Sequence, residues 1–331
     1  MPAPRVIIYG LGSVGRLAAR IAHQKGAEIV AVYVRNPSTK DFSGEDLARA
    51  QVCTPEVPFD SVVADVLVMT HASRIPEIHP VALRAARAGL NVVSVSNEGY
   101  DPFAPSPDLG LMEELDAAFR AAGKSFLACG VQDAFWYCQP LGLSLAAGRI
   151  DSILGECTAD MGLFGPAATD KVPLGLTPAE FAEQGHDVPK GHGIFEVAMR
   201  PLLRSLGLTE TGVRRLVRPH LTDRELVLKS GRVLATGTTR GFVDTTIFAT
   251  AQRIDVIGNF YVTFLYPGET ATNRWLIDGA ARIDMVTTDF PGDDITAAVV
   301  VNRIPDVIAA RPGVLCVDEL PEGRYRHSLS T

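Results

Sequence analysis

The chain reads as an α/β protein with an N-terminal, doubly wound parallel sheet and a second α+β domain built on a mostly antiparallel sheet. Three observations predict this. The stretch 6–15, V-I-I-Y-G-L-G-S-V-G, joins a buried-strand pattern to a glycine turn and a helix start. Apolar strands and helical patterns then alternate as far as Cys129, the rhythm of right-handed parallel crossovers. Past Asp133, strands follow one another with few helices between them, which suits an antiparallel sheet.

Taken in order, the first helical pattern covers 16–24 and stops at Gly26, and 27–34 forms the second strand. The next strand is 61–70, followed by a helix over 78–88 closed by Gly89 and a strand over 91–95. A helix over 108–122 with Gly123 beyond it leads to the strand 125–129. In the second domain the pattern predicts a strand at 150–159, a short helix at 178–183 and a longer one at 193–206 ending at Gly207. Strands follow at 225–227, 242–253, 255–266 and 275–289. The tail opens with Asp293 or Asp294 as N-cap and continues as a helix over 295–303, which Pro305 must kink or restart. Residues 297–301 are too apolar for a free tail and should fold back on the first domain. The domains are therefore 1–132 completed by 293–331, and 133–292. An open antiparallel sheet needs a partner for a face or an edge, so the second domain is expected to dimerise the chain with itself.

A chain of 331 residues exceeds what one hydrophobic core usually serves, in keeping with two domains. The net charge of -7 offers no broad electrostatic footprint for nucleic acid or an anionic membrane. No apolar run reaches the roughly 18 residues of a membrane span, and Met1 to Arg5 lead straight into the first strand, leaving no room for a signal peptide. The five cysteines are scattered and odd in number, with no C-x-x-C pair, as expected of reduced thiols in a cytoplasm. No metal site is expected, since His186 and His192 lack metal-ligand spacing.

The G-x-G-x-x-G spacing between a strand and a helix is the fingerprint of a Rossmann dinucleotide-binding turn. Gly10 permits the turn, Gly12 lets a pyrophosphate approach the backbone, and Gly15 lets the helix sit close to the strand. The helix start, with Ser13 and Val14, offers N–H groups and a positive dipole end to phosphate. The end of the second strand decides the cofactor. A carboxylate about 20 positions past the glycines would bind the ribose 2′-hydroxyl of NAD, but Arg35 and Asn36 stand there, with Lys40 beyond. Arg35 can pair with a 2′-phosphate, so NADP(H) is the preferred cofactor with NAD(H) possible; the alternative is a solvated loop charge.

Ligands of open parallel sheets sit outside the carboxyl ends of the strands, so the turns 70–73, 96–100 and 130–136 should meet near the nicotinamide. Thr70, His71, Ala72 and Gln132, with Asn302 from the tail, are expected at the cofactor. His71 also reads as a hydrogen-bonded turn residue, and Asp133 and Asn302 as residues that orient a neighbour. In a partly apolar pocket, desolvation would raise the pKa of Glu98 and let it exchange a proton near neutral pH. Its alternative is an exposed loop glutamate or one capping the segment toward Asp108. Phe135, Trp136, Phe164 and His192 are expected to touch substrate, against core or loop roles for each.

These residues together resemble the dihydrodipicolinate-reductase-like superfamily. The resemblance lies in the glycine loop, N-V-V-S-V-S-N-E-G-Y ending at Tyr100, G-V-Q-D-A-F ending at Phe135, and T-A-A-V-V-V-N-R-I-P with A-R-P-G in the tail. Within that superfamily the chain resembles the 2,4-diaminopentanoate dehydrogenases and related native amine dehydrogenases, over most of the nucleotide domain and the tail, and weakly over 165–225. The resemblance implies reversible conversion of a small amine to a ketone and ammonia with NAD(P), through an imine that receives the hydride. It implies Glu98 as the catalytic glutamate, matching the second glutamate of a family stretch T-C-E-E-L, whose first is Asn97 here. A family pattern G-V-N-P-G-F appears with Gln132 for asparagine and Asp133 for proline. The H-H-x-x-K and S-G-T-A patterns of dihydrodipicolinate reductases proper are absent. Two other activities fit the same sequence: an alcohol or semialdehyde dehydrogenase, and a non-catalytic NADP-binding sensor or scaffold.

Overall fold

The computed structural model of the chain describes residues 3–163, 169–289 and 291–330. The chain falls into two compact units, Met1–Ala134 with Pro291–Thr331, and Phe135–Phe290.

In the first unit β1 (Arg5–Tyr9) turns into α1 (Ser13–Gln24), and β2 (Glu28–Tyr33) and the three-residue β3 (Gln51–Cys53) follow. Next come β4 (Val66–Met69), α2 (Ile75–Arg87), β5 (Asn91–Ser94), α3 (Leu109–Ala122) and β6 (Ser125–Ala128). They form a parallel sheet in the order β6-β5-β4-β1-β2-β3. Val6, Ile7, Ile8 and Val66 to Met69 are fully buried, as strands covered by helices on both faces must be. The strand expected over 61–70 begins only at Val66. A 3₁₀ turn holds Phe59–Ser61, and the Asp65 carboxylate accepts from Arg5 N at 2.8 Å and Nη2 at 3.1 Å, pinning the strand entrance. α2 starts three residues before the pattern suggested, because Pro76 suits a first helical turn where its missing N–H costs nothing.

The second unit opens with a π-helical turn that starts within the first, Asp133–Cys138, and with α4 (Gln139–Ser144). Its strands and helices are β7 (Ile150–Asp160), α5 (Pro178–Glu183), α6 (Ile194–Ser205), β8 (Glu210–Leu221), a small ladder of β9 (Leu226–Val227) and β10 (Val233–Leu234), β11 (Thr239–Thr250), β12 (Asp255–Thr263), β13 (Thr272–Gly279) and β14 (Ile283–Thr288). The main sheet runs β14-β13-β7-β12-β11-β8, with β7 and β12 parallel and the other neighbours antiparallel. α6 lies against the face carrying Gly258, where a Cβ would sit 2.7 Å from the Phe195 ring. The single strand expected over 275–289 is a hairpin of β13 and β14, and at Gly279 the backbone passes so close to Arg149 O that a Cβ would lie 2.0 Å from it. β8 escaped the sequence pattern because it is an edge strand whose arginines and exposed positions hide the alternation.

The chain then returns to the first unit. α7 (Gly292–Ala309) continues through Pro305 as one helix, so the restart, one of the two outcomes expected there, does not occur, and Val300, Val301, Ile304 and Val307 are all fully buried on either side of the proline. β15 (Gly313–Leu315) pairs in parallel with β6 and completes the seven-stranded sheet.

Candidate functional site

Each glycine of the first turn is required for a different reason. Gly10 has φ +99°, a left-handed conformation that L side chains rarely adopt. At Gly15 a Cβ would lie 2.0 Å from Gly10 O and 2.6 Å from Thr70 Oγ1, so nothing larger lets α1 approach β1. At Gly12 nothing lies within 4 Å, and the backbone stays open to a ligand. Thr70 locks the turn by donating to Gly10 O at 2.7 Å. α1 starts with Gly12 as its cap, with no side chain on its N–H groups and no acidic residue in the first turn. Its dipole and uncapped N–H groups at Ser13 and Val14 are therefore left to an anion.

Arg35 and Asn36, both exposed, follow the end of β2. The loop behind them is fixed by Thr39, which donates to Asn36 O at 2.9 Å, and by Arg16 of α1, whose Nη2 donates to Asp41 O at 2.7 Å. On the other side of the turn His71, followed by the half-buried Ala72, keeps one edge in solvent, with its ring against Tyr9 at 4.8 Å and its Nε2 3.3 Å from Glu77 O. Burial of the rest of the ring pushes its pKa below the ordinary 6.5, so at neutral pH the imidazole is uncharged.

The turn after β5 is built by serines. Ser96 Oγ donates to Ser73 O at 2.7 Å and accepts from Gly99 N at 3.1 Å, and Ser73 Oγ accepts from Asn97 N at 3.3 Å. Glu98 does not sit in an apolar pocket of this unit. Its side chain is 42% exposed, Oε2 accepts from Ile75 N at 2.9 Å in the first turn of α2, and Oε1 lies 3.7 Å from Arg74 Nε. It thus caps a helix, though α2 and not the segment toward Asp108. One oxygen is anchored, and the other faces a cation that remains largely in water.

The turn after β6 brings Gln132 to Asn97, with Gln132 Nε2 donating to Asn97 Oδ1. Its neighbours are held from α7: Val131 N donates to Thr296 Oγ1 at 3.3 Å, and Asp133 receives the Arg303 guanidinium through two bonds of 2.6 and 2.8 Å. Arg303 and Arg74 had no place in the sequence-based site. An arginine inside the apolar run A-A-V-V-V-N-R-I-P is itself a signal, since a buried cation demands a buried acceptor. Asn302 does not reach this edge. Its Oδ1 and backbone O accept from Arg326, whose own carbonyl receives Lys25 Nζ beyond the far end of α1.

In the second unit, Trp136 is core and not an exposed pocket wall. It is 3% exposed, stacked on Phe195 at 4.7 Å, and its Nε1 donates to Asn273 Oδ1 at 2.9 Å. Phe135 is half-buried, and its carbonyl accepts from Trp275 Nε1 at 2.6 Å. His192 Nδ1 lies 2.9 Å from Glu196 Oε1, beside the capping contact that Glu196 makes with Gly193 N. Phe164 lies outside the described residues. Among the described residues no cluster of histidine, cysteine and carboxylates could hold a metal, and no helix is long and apolar enough to cross a membrane.

Residues 140–326 match the family model of the 2,4-diaminopentanoate dehydrogenase C-terminal domain. Over 98% of its length, and 95% of that protein's, the chain is 26% identical to 2,4-diaminopentanoate dehydrogenase of Acetoanaerobium sticklandii. Among solved structures, an amine dehydrogenase from Mycobacterium smegmatis matches with a TM-score of 0.84 at 28% identity, over 98% of each chain. Myo-inositol 2-dehydrogenase from Lactobacillus plantarum shares the fold at a TM-score of 0.59 and 14% identity, over 96% of this chain and 93% of that one.

Proposed function

The chain belongs to the 2,4-diaminopentanoate dehydrogenase family, an NAD(P)-dependent oxidoreductase of amine dehydrogenase type, and we propose that it interconverts a small ketone or aldehyde and ammonia with the corresponding primary amine, using NADP(H) in preference to NAD(H). The observation that carries this is the arrangement along one sheet edge: the uncapped start of α1 in the centre, Arg35 after β2 on one side, and Glu98 after β5 on the other. The diphosphate goes to the N–H groups at Gly12 to Gly15, and a 2′-phosphate to Arg35. The cofactor supplies the hydride when bound. Glu98, with Oε2 fixed on Ile75 N, exchanges protons through Oε1 with ammonia and with the water released as the carbonyl becomes an imine. The balance is one carbonyl, one ammonia, NADPH and a proton giving one amine, one water and NADP⁺.

Support for a homodimer comes from the second-unit sheet. α6 covers the face of Gly258, whereas Leu216 and Val286, at alternate register on the opposite face, stay 37% and 52% exposed. We assign that face to a second copy of the chain, in a cytoplasmic enzyme. Light scattering on a size-exclusion column should give twice the chain mass.

NADPH oxidation against a panel of carbonyls, with and without ammonium, tests the activity. Turnover that requires ammonium supports it, and turnover without ammonium assigns the chain to alcohol or semialdehyde chemistry. Glu98→Gln should lower the ammonium-dependent rate by about 10²–10⁴ at unchanged cofactor affinity. A variant at full rate would remove Glu98 from the chemistry.

A further inference from the structure

Asn97 and Gln132 meet at the ends of the neighbouring strands β5 and β6 through a single side-chain bond. Each primary amide carries one carbonyl acceptor and one NH₂ donor. When two amides share one bond, one NH₂ and one C=O are left over, whichever way the pair is turned. Here the remaining groups are Asn97 Nδ2 and Gln132 Oε1, and among the described residues neither meets a protein partner. Gln132 as a residue is 7% exposed, and the little exposure it keeps includes its spare acceptor, which is therefore open to a ligand.

The pair is also rigidly held. Val131 and Asp133, on either side of Gln132, are fixed by Thr296 and Arg303. Gly130 leaves room for the side chain, since a Cβ there would lie 2.9 Å from Gln132 Oε1. On the other strand, Asn97 N donates to Ser73 Oγ, and Asn97 O accepts from Tyr100 N at 3.3 Å. A donor and an acceptor fixed side by side fit a group that presents the opposite pair, which is a primary carboxamide. In a doubly wound sheet whose glycine turn follows β1 and whose ribose-side arginine follows β2, the other half of a dinucleotide falls over β4, β5 and β6.

We propose that Asn97 and Gln132 together form the binding site for the nicotinamide carboxamide, Asn97 donating to its oxygen and Gln132 accepting from its NH₂. The pair fixes the rotation of the ring and so the position of the hydride-carrying carbon. This rests on the dinucleotide assignment of the glycine turn.

The test compares NADP⁺ with its 3-acetylpyridine analogue, in which a methyl group replaces the amide NH₂, by calorimetric titration. The wild-type protein should bind NADP⁺ about tenfold more tightly than the analogue. In Gln132→Leu that preference should collapse to within twofold, because the acceptor for the missing NH₂ is gone. Asn97→Ala should weaken both ligands by about tenfold. Gln132→Met, of similar length, replaces the leucine variant if leucine disturbs folding, as judged by far-UV circular dichroism. A Gln132 variant that weakens both ligands equally and keeps the tenfold preference assigns the pair a purely structural role and overturns the proposal, as does a wild-type protein with no preference. If neither dinucleotide binds, the assignment of the glycine turn falls as well.

Discussion

Replacing Arg303 by methionine removes a buried cation and keeps an unbranched stem. The arginine side chain is 1% exposed and that of Asp133 2%. Its Nε and Nη2 donate to the two Asp133 oxygens at 2.6 and 2.8 Å, and Nη1 donates to Pro321 O at 2.5 Å. Arg303→Met therefore strips Asp133 of its paired counter-charge and Pro321 O of its donor. Breaking a buried pair from one side costs about 3–5 kcal/mol, and with ~2–4 °C lost per kcal/mol the melting midpoint should fall by roughly 6–20 °C. The double variant Arg303→Met with Asp133→Leu removes the Asp133 carboxylate too and leaves the Pro321 carbonyl, worth about 1–3 kcal/mol, together with the longer 3.5 Å contact of Asp306, whose carboxylate keeps Arg326. It should therefore be more stable than the single variant by roughly 2 kcal/mol. Both tryptophans, Trp136 and Trp275, lie in the unit 135–290, so fluorescence follows that unit while far-UV circular dichroism follows both. Urea titrations read by the two probes assign the loss to the first unit. A cost below about 1 kcal/mol for Arg303→Met, or a double variant less stable than the single one, would refute the coupling.

At Gly15 the added carbon of Gly15→Ala meets backbone at 2.0 Å, so this variant should lose stability at the upper end of the ~1–3 kcal/mol overpacking range. Gly12→Ala, with nothing within 4 Å, should melt close to wild type yet bind dinucleotide at least tenfold more weakly in the same titration. Arg35→Ser should weaken NADPH by about tenfold and leave NADH within twofold, and equal effects would remove Arg35 from the 2′-phosphate site. His220 in the second unit is pushed down from 6.5 to about 4 by burial and by the neighbouring Arg240. Its folded pKa is depressed, so the unfolded chain takes up a proton the folded chain does not as pH falls from 6.5 toward 4, and stability falls with it. His220→Asn should flatten that part of the urea midpoint's pH dependence, and an unchanged slope would contradict it.

The glycine turn and the alternating strands of the first unit were legible because each rests on local constraints: a positive φ at Gly10, a contact at Gly15, and strands buried on both faces. What the sequence concealed depended on partners distant along the chain. Glu98 was visible at a strand end, but its grip on Ile75 N was not, because no local pattern links a loop carboxylate to a helix start 23 residues earlier. Asp133 and Arg303 lie 170 residues apart, and neither shows what it faces. Trp136 stayed open between pocket and core for the opposite reason. An aromatic run next to a domain boundary suits a pocket and a core equally, and only the stack on Phe195 and the bond to Asn273 decide for the core. The length of α7 was underestimated because Pro305 breaks a helix in isolation, whereas burial of the residues on both sides holds it here.

The return of the chain to complete the first sheet also orders events in time. β6 leaves the ribosome long before β15, and Ser125 waits 186 residues for Arg311 O, while the whole of 135–290 emerges between them. Local segments and the intervening unit can fold as they appear. The turn carrying Gln132 cannot be clamped until Thr296 and Arg303 have been made. Synthesis thus leaves the Gln132 turn to be fixed last, whereas the Thr70 bond that locks the glycine turn joins residues made early.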